Sequence, residues 1–151
     1  MLKAALLSAV MLFWPPWLSI ESPTNPFDPA TRDAVFLVHA MTREGTPKIT
    51  DLTATAEGLV NGARQTMTVI LSATGQPGVF AVRKQWPASG TWLIQLTLAN
   101  TTALVSLDAS GHVASVNIPL QVQSNGQRVP RAVSAHDIDS TLAALAPARG
   151  R

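Results

Sequence analysis

The stretch Gly78-Val-Phe-Ala-Val-Arg-Lys-Gln-Trp-Pro-Ala-Ser-Gly-Thr-Trp-Leu-Ile-Gln-Leu96 sets two tryptophans on either side of a Pro-Ala-Ser-Gly corner. Aromatic residues are only 5% of the chain, so a pair in one corner asks for a structural reason. Residues 79–86 alternate, with Phe80, Val82, Lys84 and Trp86 on one parity and Val79, Ala81, Arg83 and Gln85 on the other, which is the period of a strand. Pro87 cannot donate to a ladder and ends that strand, and Gly90 lets the chain reverse. Trp92, Ile94, Leu96 and Leu98 then share one parity and line one face of the next strand; Thr91, Gln95 and Thr97 fall on the other, with Leu93 as the exception. The expected core therefore contains Phe80, Val82, Trp86, Trp92, Ile94 and Leu96, with Trp92 inside and Trp86, beside the corner, at the rim. Each indole buries roughly 200 Å² in such a setting.

The same reading extends in both directions. Residues 33–40 (DAVFLVHA), 49–60 and 64–74 are β-rich runs, and Asn61-Gly62 between the last two is a strong hairpin signal, so the three are expected to form a meander. Residues 102–108 and 112–121 are two more strands, joined through Ala109-Ser-Gly111. Seven short, turn-bounded strands predict an all-β, antiparallel sandwich over residues 33–122. The remainder, 123–151, is a C-terminal extension. There Ser134-x-x-Asp137 resembles a capping box, and Ile138, Leu142 and Leu145 make an i, i+4, i+7 stripe, which predicts a short helix over about 135–146. That stripe either packs on the sandwich or is offered to a partner. Ser134, His136 and Asp137 are triad residue types, but neighbours in sequence do not form a nucleophile, base and orienter relay. No enzymatic residue set is expected.

Composition limits the function classes. A chain of 151 residues suits one domain with a real core. Charged residues are 13%, about half the usual share, while apolar residues reach 46%. Eleven Lys and Arg against nine Asp and Glu leave a net charge of +2, too weak a field to recruit nucleic acid. With no cysteine, disulfides and thiolate metal sites are excluded. Lys3 followed by the apolar run from Ala4 to Trp14 reads as a signal peptide or N-terminal anchor over 1–22, followed by a Pro-rich linker over 23–32. The expectation is an exported protein, periplasmic or extracellular, with a mature start between Ile20 and Pro26 and membrane contact only if the segment stays uncleaved.

The arrangement Gly78-Val-Phe-Ala, then Trp86-Pro, then Gly90-Thr-Trp92-Leu-Ile resembles the signature of small extracytoplasmic domains called YtkA-like, which runs tyrosine or phenylalanine, proline, glycine, tryptophan. A more distant similarity is to FixH-like and CopC-like copper-associated modules. The match covers residues 32–120. The resemblance implies an immunoglobulin-like sandwich, exported or membrane-tethered, with some relatives placed beside metal-handling or respiratory proteins.

Candidate chemistry is sparse. His39 and Met41 lie two apart and share one strand face, where a copper ion could use both with a third ligand from elsewhere. The plain alternative is a surface histidine and a packed methionine. CopC-like sites tend to use an N-terminal histidine, and this chain has none there. Between Lys84 and Arg128 the only formal charge is Asp108. Either Thr, Ser, Gln and Asn simply suit the exposed faces of an exported β-protein, or this is an uncharged surface for another protein. Two functions follow as expectations: a noncatalytic module that contacts a cell-envelope protein, with no cofactor, or a periplasmic copper accessory protein using His39 and Met41.

Overall fold

Small residues facing large ones organise the sandwich. The computed structural model describes residues 16–146; the apolar run from Ala4 to Trp14 lies outside the described residues. Strand β1 spans Trp17–Glu21, β2 Phe36–Met41, β3 Leu52–Val60, β4 Ala63–Thr68, β5 Leu71–Ala73 and β6 Val79–Val82. Then come β7 (Thr91–Leu98), β8 (Thr101–Leu107), β9 (Val113–Asn117), β10 (Leu120–Val122), β11 (Arg128–Pro130) and helix α1 (Ala135–Leu145). One sheet runs β1-β2-β6-β5, the other β4-β3-β7-β8-β9, and β10 and β11 form a separate ribbon. Every pairing is antiparallel.

That order is the immunoglobulin plan. With β1, β2, β6 and β5 as strands A, B, E and D, and β4, β3, β7 and β8 as C′, C, F and G, both sheets fall into place, and β9 extends the second sheet beyond G. The two inner faces merge into one cluster that holds Phe36, Val38, Phe80 and Val82 from the first sheet and Trp92, Ile94, Leu96, Ala103 and Val105 from the second. On β3 the inner positions are Ala54, Ala56 and Gly58, directly opposite Leu96, Ile94 and Trp92 of β7. A methyl group on Gly58 would come within 2.5 Å of the Trp92 ring, so only glycine admits the indole there.

The corner between the tryptophans is held by one of them. Trp92 Nε1 donates to the Ser89 carbonyl at 2.9 Å, which ties the Pro87-to-Gly90 turn to the strand it feeds. Gly90 sits at φ +91°, with Leu59 and Val60 packed against its bare Cα side. Trp86 is not at the rim as expected: it is 6% exposed against 4% for Trp92 and belongs to the same core cluster. Beyond Val82 the chain leaves the sheet, and this lets the ring of Trp86 turn inward from a loop rather than from a strand.

The meander expectation is corrected. β2 and β3 lie in opposite sheets, and the run 64–74 divides into β4 in one sheet and β5 in the other. At the crossing, the Gln85 side-chain amide accepts from Ile70 N at 2.8 Å and donates to Ile70 O at 2.9 Å, replacing the strand neighbour that this residue lacks. The run 112–121 likewise divides into β9 and β10. The Asn61-Gly62 hairpin is present, with φ of 51° and 79° at the two turn residues, the left-handed pair of a type I′ turn.

The N-terminal boundary also moves. Residues 17–21, expected within the leader or anchor, form an edge strand in five-residue register with β2. Leu18 is buried in the core, Ile20 packs against it, and Thr101 Oγ1 donates to the Pro16 carbonyl at 3.0 Å. The alternating pair Leu18 and Ile20 is masked in the sequence because it follows directly on an apolar run. The segment expected as linker is turn structure in part: Asp28 caps Ala30 N and Thr31 Oγ1, both at 3.0 Å.

Helix α1 explains Leu93. Leu93 and Leu104 point away from the inter-sheet core and are buried beneath Leu142, with Ile138 and Val133 alongside. The helix opens with the capping box expected at Ser134 and Asp137. Arg131 donates two bonds to Asp137, at 2.6 and 2.7 Å. Arg64 bridges the buried Glu57 of β3, at 3.2 Å, to Asp139 of the helix, at 2.5 Å.

Truncating either core tryptophan is expected to lower the urea midpoint strongly. Trp92→Ala and Trp86→Ala should each cost ~3 to 5 kcal/mol, and Gly58→Ala ~1 to 3 kcal/mol through overpacking against the ring. A wild-type midpoint for Trp86→Ala would place that ring outside the core.

The Arg131 bonds, with help from Ser134, hold the Asp137 carboxyl far below the ordinary carboxylate range. A lowered folded-state pKa stabilises above the unfolded value of about 4 and is lost as pH falls toward the folded one. Asp137→Asn should therefore weaken helix docking at neutral pH and shrink its loss on acidification, followed by limited proteolysis of the C-terminal segment. An unchanged acid profile in the variant would contradict this anchoring.

Candidate functional site

Three surface features bear on function. The first is the outer face of the β1-β2-β6-β5 sheet. Alternation turns Leu18 and Ile20 inward and leaves Trp17, Ser19 and Glu21 of β1 beside Met41, His39 and Leu37 of β2. His39 and Met41 therefore do share this face. His39 Nε2 lies 2.6 Å from Glu21 Oε2, so one ring nitrogen is engaged by a carboxylate. Met41 is half exposed, and Trp17 directly opposite is equally so. Among the described residues no cluster of three or more His, Cys, Asp or Glu side chains forms. The sequence does not disclose Glu21 as the neighbour of His39, because it lies 18 residues away in a segment read as leader.

The second feature is the β8–β9 turn. Asp108 accepts from Ser110 N, Ser110 Oγ and His112 N at 2.9, 2.6 and 3.0 Å, and these bonds, the Ser110 hydroxyl foremost, lower its pKa. Ser110 Oγ also lies 2.8 Å from His112 Nδ1. The order is carboxylate, hydroxyl, imidazole. A relay that activates serine needs the imidazole in the middle. Here the Ser110 proton is directed at Asp108 while its lone pair receives the imidazole N–H, which locks a turn and leaves the hydroxyl without a base. The third histidine, His136, lies on helix α1, remote in sequence from the other two.

The third feature is the flank made by β9 and the β10–β11 ribbon. Four of the five β9 residues are exposed, and so are all three of β10. Ser106 and Ser115 hydroxyls pair across β8 and β9 at 2.5 Å, holding β9 to the sheet, while among the described residues no strand lies beside its other edge. Val116 and Leu120 are about half exposed and Val122 is 69% exposed. All three fall in the span between Lys84 and Arg128 in which Asp108 is the sole formal charge. Alternate spacing puts Leu120 and Val122 on one face of the ribbon, with Pro130 opposite Leu120. The charge gap was legible in the sequence; the free edge was not, because strand order is a long-range property.

The six expected core residues are all buried together: Phe80, Val82, Trp86, Trp92, Ile94 and Leu96. Comparison with protein-family models, with curated proteins and with solved structures finds no match for this chain.

Proposed function

We propose that this chain is a noncatalytic, exported immunoglobulin-like module that contacts another cell-envelope protein through β9 and the β10–β11 ribbon. The observation that carries the reading is the uncharged edge of β9, which exposes apolar side chains. A free strand edge invites pairing, and proteins blunt such edges with charge, bulges or shortness. The other three edges are guarded: β4 carries Arg64, held by Glu57 and Asp139; β1 carries Glu21; β5 has three residues. β9 carries no charge; its one irregularity is a bulge at Ala114, at its start, and past it the edge exposes Val116, with Leu120 and Val122 following on the ribbon. An extended partner segment can add to that edge by main-chain bonds while its side chains meet the ribbon. A two-stranded ribbon is marginal alone, so a partner would also order it. Export rests on Lys3 and the apolar run that follows. Membership of the YtkA-like group rests on the corner motif at residues 78–94.

A photocrosslinking residue in place of Ser115 or Val122 should give one discrete adduct in the envelope, and Val116→Lys should abolish it. Adducts from Gln65 on β4 with none from β9 would contradict the assignment.

A second reading has His39 and Met41 holding a copper ion, favoured by their common face and by the Glu21 carboxylate at 2.6 Å from His39. Thioether and imidazole together suit Cu(I). Anaerobic titration of the full chain should then show one Cu(I) per chain, lost in His39→Ala. Equal uptake by that variant would dismiss the site.

A further inference from the structure

Trp17 and Met41 are exposed apolar neighbours that neither the core nor the β9 flank uses. They are 49% and 51% exposed and directly opposed in register at one end of the β1-β2-β6-β5 sheet. The next loop brings two exposed cations, Arg43 and Lys48, together with Glu44. Just before Trp17, the Pro16 carbonyl is gripped by Thr101 Oγ1, so the described chain begins at this same end of the sandwich.

What precedes it is Ala4 to Trp14, with only Pro15 and Pro16 between Trp14 and Trp17. Three residues of fully extended chain reach about 10 Å. Any surface that takes up Trp14 therefore lies within about 10 Å of Trp17, a distance comparable to the depth at which apolar interfacial segments sit in a bilayer. β1 cannot be released to lengthen this tether without emptying the slots of Leu18 and Ile20 in the core. Cleavage between Ile20 and Pro26 would remove the strand altogether.

We infer that the chain keeps its N-terminal segment and that this end of the sandwich rests on a lipid bilayer, with Trp17 and Met41 at the level of the headgroups. Indole is favoured at that level because its ring is apolar and its N–H reaches water, and flanking Arg and Lys meet lipid phosphates. The occupant is lipid rather than protein because the segment entering this end is itself an apolar run with Lys3 as its single charge. The inference is independent of the β9 contact, which lies on a different edge.

Trp86 and Trp92 are buried, so the surface tryptophan can be read separately. Full-length Trp14→Phe should be mixed with vesicles of phosphatidylethanolamine and phosphatidylglycerol carrying brominated acyl chains. Cosedimentation and loss of the Trp17 emission are expected; the Trp14→Phe, Trp17→Phe double variant should bind with its emission unquenched. Vesicle-bound Trp14→Phe whose Trp17 stays unquenched would overturn the inference and leave that end to a protein contact. Failure of the wild-type chain to sediment with vesicles, or recovery from membranes of a chain that starts after Trp14, would overturn it as well.

Discussion

The Trp92 indole lies across the bare backbone of Gly58, its neighbour in the same sheet, and the inner face of that sheet is built on the contact. Because β3 presents Ala54, Ala56 and Gly58 inward, its neighbour β7 can present Leu96, Ile94 and Trp92. The volume is filled once, by alternation of small against large across a strand pair, as dense packing requires. β7 and β8 are thereby buried on the inner face, and helix α1 buries Leu93 and Leu104 on the outer one. Two-sided burial makes this strand pair the scaffold to which the edges are attached.

Much of that scaffold is local in origin and was legible. The parity of Trp92, Ile94 and Leu96, the Asn61-Gly62 turn and the Ser134-Asp137 cap each depend on a few consecutive residues. What sequence periodicity misses is long-range. The switch of the chain between sheets at Val69 and Ile70 leaves the β pattern of 64–74 unbroken, since both halves are strands. β1 was obscured because an edge strand with Leu18 and Ile20 inward reads like the tail of an apolar leader. Trp86 defied its loop position because a large ring can reach the core from outside a strand. The candidate surfaces were half legible: the charge gap from Lys84 to Arg128 and the His39, Met41 spacing are sequence facts, whereas Glu21 beside His39 and the free edge of β9 follow from strand order.

The distribution of charge divides the surface. Paired ions occupy the places where the chain must be pinned: Arg64 between Glu57 and Asp139 over the helix, Arg131 on Asp137 at its cap, and Arg83 on Asp33 at the exit from β6. Exposed pairs of this kind add little stability singly, but they fix which segment lies on which face. The β9 flank carries none of them, and the sheet face next to Trp17 carries the pair of His39 and Glu21. The two proposed contacts, a protein at the β9 flank and lipid at the Trp17 end, are placed by this division.

Native-state hydrogen exchange tests the central claim, that β7 and β8 are the scaffold and β9 to β11 a weakly held flank. Amides of β7 and β8 are expected to exchange only through global opening, at rates set by the full unfolding free energy, while those of β10 and β11 exchange through local fraying. Equal protection of β10 and β7 would contradict the account, because it would make the ribbon part of the core rather than a flank that opens locally.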